Sequence, residues 1–111
     1  MLHEINIRTS KRDEMIDITA QVQRIITQEA IHEGLAVVYA AHTTAGITIN
    51  ENADPDVTRD LLRRLGEAFP WDMAADRHGE GNSAAHLKAS MVGASQTVII
   101  RNGRLLLGRW Q

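Results

Sequence analysis

Thr97-Val98-Ile99-Ile100-Arg101-Asn102-Gly103-Arg104-Leu105-Leu106-Leu107 decides how this chain folds. Two apolar runs flank Asn-Gly, the pair that a two-residue hairpin turn favours because both of its central residues need positive φ. The stretch therefore predicts two antiparallel strands near the end of the chain. Working back, Leu35-Ala36-Val37-Val38-Tyr39-Ala40-Ala41 is a continuous apolar run, the pattern of a central strand covered on both faces. Ala45 to Asn50 alternates through Ile47 and Ile49 and reads as a further strand able to pair with it. Leu2 to Thr9 alternates as well, as a half-buried strand does.

Helices fill the intervals. Thr19 can cap a helix whose apolar positions are Val22, Ile25, Ile26 and Ala30, with Gly34 to end it. Asp54-Pro55 marks a second start, an N-cap followed by proline at the first helical position. Val57, Leu61, Leu62, Leu65 and Phe69 form its apolar face, and Pro70 stops it. A third helix follows Asn82 or Ser83, with Ala84, Leu87 and Met91 as its stripe. Strands and helices mix without regular βαβ alternation, which predicts an α+β fold. It would be one compact domain over 1–111, a largely antiparallel sheet or sandwich with packed helices.

The bulk properties exclude several functions. The 111 residues are 43% hydrophobic and 23% charged, ordinary values for a globular domain. A formal net charge of −2, with no basic stripe, argues against a nucleic-acid partner. There is no cysteine, hence neither a disulfide framework nor thiolate chemistry. No apolar run reaches the length of a membrane span and the polar start lacks a signal-peptide core. The expected setting is cytoplasmic, with no membrane partner.

The chemistry concentrates in His78-Gly79-Glu80-Gly81-Asn82-Ser83-Ala84-Ala85-His86-Leu87-Lys88. His86 falls opposite the Ala84–Leu87–Met91 stripe at 100° per residue, so its place is not the core. Glycines ahead of a helix cap let the backbone approach a ligand, and a helix start favours an anion. His42 stands at the end of the apolar strand, where folds often display functional groups. Asn50 and Glu51 read equally as turn formers or ligand contacts, whereas Asp54 has a sufficient role as a cap. His3 and His32 read as structural or solvent-exposed. His78 and His86 are eight residues apart, which matches neither HExxH nor a zinc finger and is a weak metal signal; a three-histidine site is geometrically possible where His42 joins them in space.

Four blocks together resemble the YjbQ-like family. They are His42-Thr43-Thr44-Ala45; Ile49-Asn50-Glu51-Asn52 with Asp54-Pro55; His78-x-Glu80-Gly81-Asn82-x-x-x-His86-Leu87-Lys88; and Gly103-Arg104-Leu105-x-Leu107-Gly108-x-Trp110-Gln111. Members of that family are often described as secondary thiamine-phosphate synthases. The resemblance implies a homotrimer with polar pockets at or near the subunit interfaces. Its polar positions would be His42, Asn50, Glu51, Asp54, His78, Glu80, Asn82, His86 and Lys88. Two departures stand out: Arg109 replaces a common threonine, and relatives continue past Trp-Gln into another apolar strand, whose absence from 1–111 would leave a sheet edge exposed.

Three readings follow. In the first, the chain is a weak or secondary enzyme joining a thiazole phosphate to a pyrimidine methyl diphosphate. His42, Glu80 and His86 would act on the reacting groups. Asn50, Glu51, Asp54, His78, Gly81, Asn82 and Lys88 would hold substrate, with Mg²⁺ or another divalent metal as cofactor. In the second, the same residues bind a small phosphorylated metabolite or a metal without turnover. In the third, the histidines at 42, 78 and 86 hold the metal of a hydrolase.

Overall fold

The computed structural model describes all 111 residues. The Asn-Gly hairpin forms as expected. Asn102 and Gly103 take φ of 53° and 74°, and they join β2 (Ser95–Arg101) to β3 (Arg104–Leu105) with Ile100 opposite Leu105. β3 is shorter than the Arg104–Leu107 run predicts. Leu106 still donates its N–H to Ile99 O at 2.8 Å, but Leu107 turns back onto Leu105 O.

β1 (Gly34–Tyr39) lies on the other side of β2, antiparallel, from Gly34 opposite Ile100 to Tyr39 opposite Ser95. The result is one antiparallel sheet, ordered β1-β2-β3. The expected strand at Ala45–Asn50 does not form. The 45–50 segment is tied instead to the end of the third helix, by Ile47 N–H donating to Gly93 O at 2.9 Å. The close approach requires glycine at 46, because a Cβ there would meet Val92 Cγ1 at 2.9 Å and Gly93 O at 3.0 Å. Leu2–Thr9 also joins no ladder; only Ile5 is half-buried, and His3 Nε2 lies 3.0 Å from Glu29 Oε1.

Three helices accompany the sheet. α1 (Thr19–Gln28) includes Thr19 as its first residue rather than as its cap: Ile18 holds the cap position, and Asp17 accepts the Thr19 N–H at 2.9 Å. It ends before Gly34: Ala30 takes the left-handed conformation at φ 53°, and Gly34 opens β1. Ala30 is accordingly exposed rather than part of the apolar face. α2 (Pro55–Ala68) is capped by Asp54, whose Oδ1 accepts the Asp56 N–H at 2.9 Å. Its Val57, Leu61, Leu62, Leu65 and Phe69 are only half-buried.

α3 (Ser83–Val92) is rolled relative to expectation. Ala84 is buried, while Leu87 and Met91 face out at 48% and 69% exposure. Small residues let this helix lie close, and Lys88 is anchored inward on Asp13, so the two bulky apolar side chains turn away.

The core is thin. Only Ile26, Ala84, Val98 and Ile100 are fully buried. The face of β1 predicted to be covered is open: Leu35, Val37 and Tyr39 are each about two-thirds exposed, and Ile99 beside them is half exposed. The accessible surface is 8547 Å², against roughly 6,100 Å² for a compact monomer of this mass. The radius of gyration is 15.9 Å, against roughly 13 Å for a compact chain of this length. No helix is long and apolar enough to cross a membrane.

Candidate functional site

The site starts from a turn. Gly81 donates its N–H to His78 O at 3.0 Å and takes φ of 68°, a conformation that glycine adopts without strain. This turn aims the chain into α3 at Asn82. The Asn82 carbonyl accepts from Ala85 N–H at 3.0 Å and from His86 N–H at 3.4 Å. No acceptor in the chain meets the N–H groups of Ser83 and Ala84. Ala84 is buried, so the half-buried Ser83 supplies the N–H that makes this helix start attractive to an anion. Asn82 makes no side-chain cap bond, and its Oδ1 is buried with no hydrogen-bond partner. Such an atom is costly to leave unmatched, and it marks a place where a donor is missing.

Two imidazoles flank this start along the chain, His78 before the turn and His86 in the first turn of α3. The rings of His78 and His86 meet edge to face, with centroids 5.2 Å apart and planes at 84°. His86 is half-buried and His78 exposed, so the pair forms a wall with one side to solvent. Glu80 lies in the connecting turn, exposed and without an ion-pair partner. The unit can therefore offer a backbone donor, two imidazoles and one carboxylate within a single short segment.

A model of the UPF0047 protein YjbQ-like family matches residues 3–111. The chain belongs to the YjbQ-like family. It is 60% identical to UPF0047 protein YugU of Bacillus subtilis, over all of this chain and 84% of that one. It is 50% identical to a UPF0047 protein of Methanocaldococcus jannaschii, over all of this chain and 80% of the other. Among solved structures, an uncharacterized yjbq/upf0047 protein of Clostridium acetobutylicum superposes with a TM-score of 0.91 at 54% identity, covering 95% of this chain and 81% of that one. A YbjQ-like protein of unknown function from Sulfolobus solfataricus gives 0.89 at 32% identity, covering 95% and 76%.

The other candidate positions of this YjbQ-like chain are dispersed. Lys88 is not free to reach an anion: its Nζ lies 2.9 Å from Asp13 Oδ1, with only 15% of the side chain exposed. The Lys88 hydrogen bond holds the Asp13 carboxyl below the usual carboxylate range; partial burial opposes it and Arg12 adds to it. His42 makes its polar contacts inside its own turn. Its Nδ1 accepts the Thr44 N–H at 3.0 Å, which puts the proton of a neutral ring on Nε2, and it lies 3.1 Å from Thr44 Oγ1. His78 and His86 are the only histidines in ring contact, and no three His, Asp or Glu side chains of the subunit cluster as a metal would need. Asp54 is occupied as a cap. Asn50 Oδ1 accepts the Glu51 N–H at 2.7 Å, and both residues line a separate cavity that no α3 residue reaches.

Two carboxylates escaped the sequence reading. Asp13 has no local signal, because its partner is 75 residues away. Asp17 had one, since Asp two positions before Thr19 is a familiar way to hold a helix start. Its carboxyl is held below the ordinary range by the Thr19 side chain first, then by the Thr19 N–H and the Asn52 amide, with burial opposing.

Proposed function

We propose that this chain binds the phosphate end of a small phosphorylated metabolite at the start of α3. The reading rests on one observation: His78 and His86 are in ring contact across a helix start whose Ser83 N–H meets no acceptor in the chain. A phosphate oxygen would accept from that N–H, and the imidazoles would supply further donors. Lys88 has no part in it, being held by Asp13.

The chemistry that suits such a site is departure of diphosphate, as in thiamine-phosphate synthase-type transfer. The thiazole nitrogen would give its lone pair to the pyrimidine methylene carbon, forming C–N as C–O breaks, and diphosphate would leave with the bonding pair. His86 would donate a hydrogen bond or proton to the departing oxygen, with His78 and Glu80 orienting the imidazole and the substrate. Mg²⁺ arriving on a diphosphate needs only one or two carboxylates from the protein, and Glu80 is the free one in this segment. A resident metal would need ligands that a single subunit does not gather, so no step is assigned to one.

We also read the chain as a subunit of the homotrimer that the YjbQ-like resemblance implies. The support is the open row Leu35, Val37, Tyr39 and Ile99 together with an excess surface of roughly 2,400 Å². An ordinary interface takes roughly 800 Å² from each partner, so two per subunit fit within that excess.

Titration with inorganic diphosphate tests the site. Binding weakened tenfold or more by His86→Ala, with the fold retained by circular dichroism, is the expected result. Affinity untouched by His86→Ala and His78→Ala would remove the site. Incubation with the thiazole phosphate and pyrimidine diphosphate then separates transferase from binding protein: bound diphosphate with no product on long incubation gives the second.

A further inference from the structure

A cavity of about 180 Å³ lies where α1, the inner face of the sheet and the 47–52 segment meet. Val22, Val38, Ile49, Val98 and Leu105 provide its apolar wall, and no residue of the His78–Lys88 stretch lines it. Its size has a direct meaning. An apolar protein cavity of roughly 150 Å³ takes up benzene, so this one admits a ring-sized body.

Its charge is one-sided. The lining carries Asp17 and Glu51 and contains no lysine, arginine or histidine. The two acids differ in how they are held. Asp17 is satisfied, with Oδ1 accepting the Thr19 N–H at 2.9 Å and Oδ2 the Asn52 amide at 2.6 Å. Glu51 is half-buried, and its carboxylate has neither a hydrogen bond nor an ion pair within the chain. Glu51 is thus the one acid of the lining left free to pair with a cation that enters beside the apolar wall.

We propose that this cavity is a second ligand site, and that it takes a small organic ammonium ion with an apolar, ring-sized body. The ring lies against Val38, Ile49 and Val98, and the ammonium reaches the Glu51 carboxylate. An anionic ligand is opposed by both acids, and a neutral apolar one leaves Glu51 unpaired. The site is opposite in sign to the α3 start and does not depend on the phosphate reading.

Benzylammonium is the probe, with benzyl alcohol as its uncharged counterpart of the same shape. Calorimetric titration of the full chain should give saturable binding, with the amine at least tenfold tighter than the alcohol. Glu51→Gln should bring the amine down to the level of the alcohol while leaving inorganic diphosphate affinity unchanged. Val38→Phe should fill the cavity and abolish binding of both probes. Should that variant fail to fold, the Glu51→Gln comparison still decides. An amine that binds no better than the alcohol, or equally well to Glu51→Gln, overturns the proposal. So does absence of probe binding, including the case in which a neighbouring copy's chain already fills the hollow.

Discussion

Replacing Lys88 by methionine separates a structural lysine from a ligand-binding one. The methionine keeps most of the stem and removes the ammonium. In the fold that ammonium makes a 2.9 Å charge-assisted bond to Asp13, with side-chain exposures of 15% and 32%. The pair thus lies between the surface limit, below about 1 kcal/mol, and the buried limit of about 3–5 kcal/mol for removing one partner. Lys88→Met should cost about 1 kcal/mol, because Asp13 keeps solvent and Arg12 Nε at 3.3 Å. Asp13→Asn should cost more, about 2 kcal/mol, because it strands the less exposed ammonium. The double variant should lose less than the sum, with a coupling of about 1 kcal/mol measured by urea unfolding at fixed protein concentration. The pH dependence has a definite sign. Asp13's folded pKa is lowered, so its contribution is present above the unfolded carboxyl range near about 3.9 and fades as pH falls through the lower folded value. The gap between wild type and Lys88→Met should therefore hold at neutral pH and close below about pH 4. Zero coupling, or a Lys88→Met chain of unchanged stability that has lost diphosphate affinity, would refute the assignment.

Gly46→Ala places a methyl 2.9 Å from Val92 Cγ1 and 3.0 Å from Gly93 O, so it should destabilise by about 1–3 kcal/mol in thermal or urea unfolding. Gly103→Ala puts a side chain at φ 74° in the hairpin turn and should cost about 1 kcal/mol, read in the same assay. Val37→Lys, at a position two-thirds exposed on the open sheet face, tests the proposed homotrimer: circular dichroism should be unchanged while light scattering reads monomer for the variant and trimer for the parent chain. An assembly that tolerates this lysine does not use the face.

Local signals were legible where the chemistry is local. Asn102-Gly103 carries its own dihedral demand, and Asp54-Pro55 its own cap, so the hairpin and α2 appear where the residues place them. The rise into α3 at Ser83 is of the same kind, whereas the ring contact of His78 with His86 across the Gly81 turn was not foreseen from their spacing. What pattern alone misjudged depends on partners distant in the chain. The alternation of Leu2–Thr9 and Ala45–Asn50 describes strands that pair, yet Ile47 is bonded to Gly93 O at the end of α3 and Leu2–Thr9 joins no ladder. The stripe Ala84–Leu87–Met91 has the right period, but the Asp13–Lys88 bond and the Gly46 approach set the roll of α3, and neither leaves a mark near residue 88.

Site residues follow the same division. Asn50 and Glu51 stand with His42 and His86 among the polar positions that the family resemblance implies, but composition does not say which hollow a carboxylate lines. Asn50 and Glu51 line a cavity that no α3 residue reaches, apart from the turn and helix that carry His78 and His86. A ligand bearing both charges would need both places, and the Glu51→Gln and His86→Ala variants then act as independent probes of its two ends. If each variant weakened only its own probe, the two sites would be separate; a common loss on either change would mean that the two regions respond as one unit.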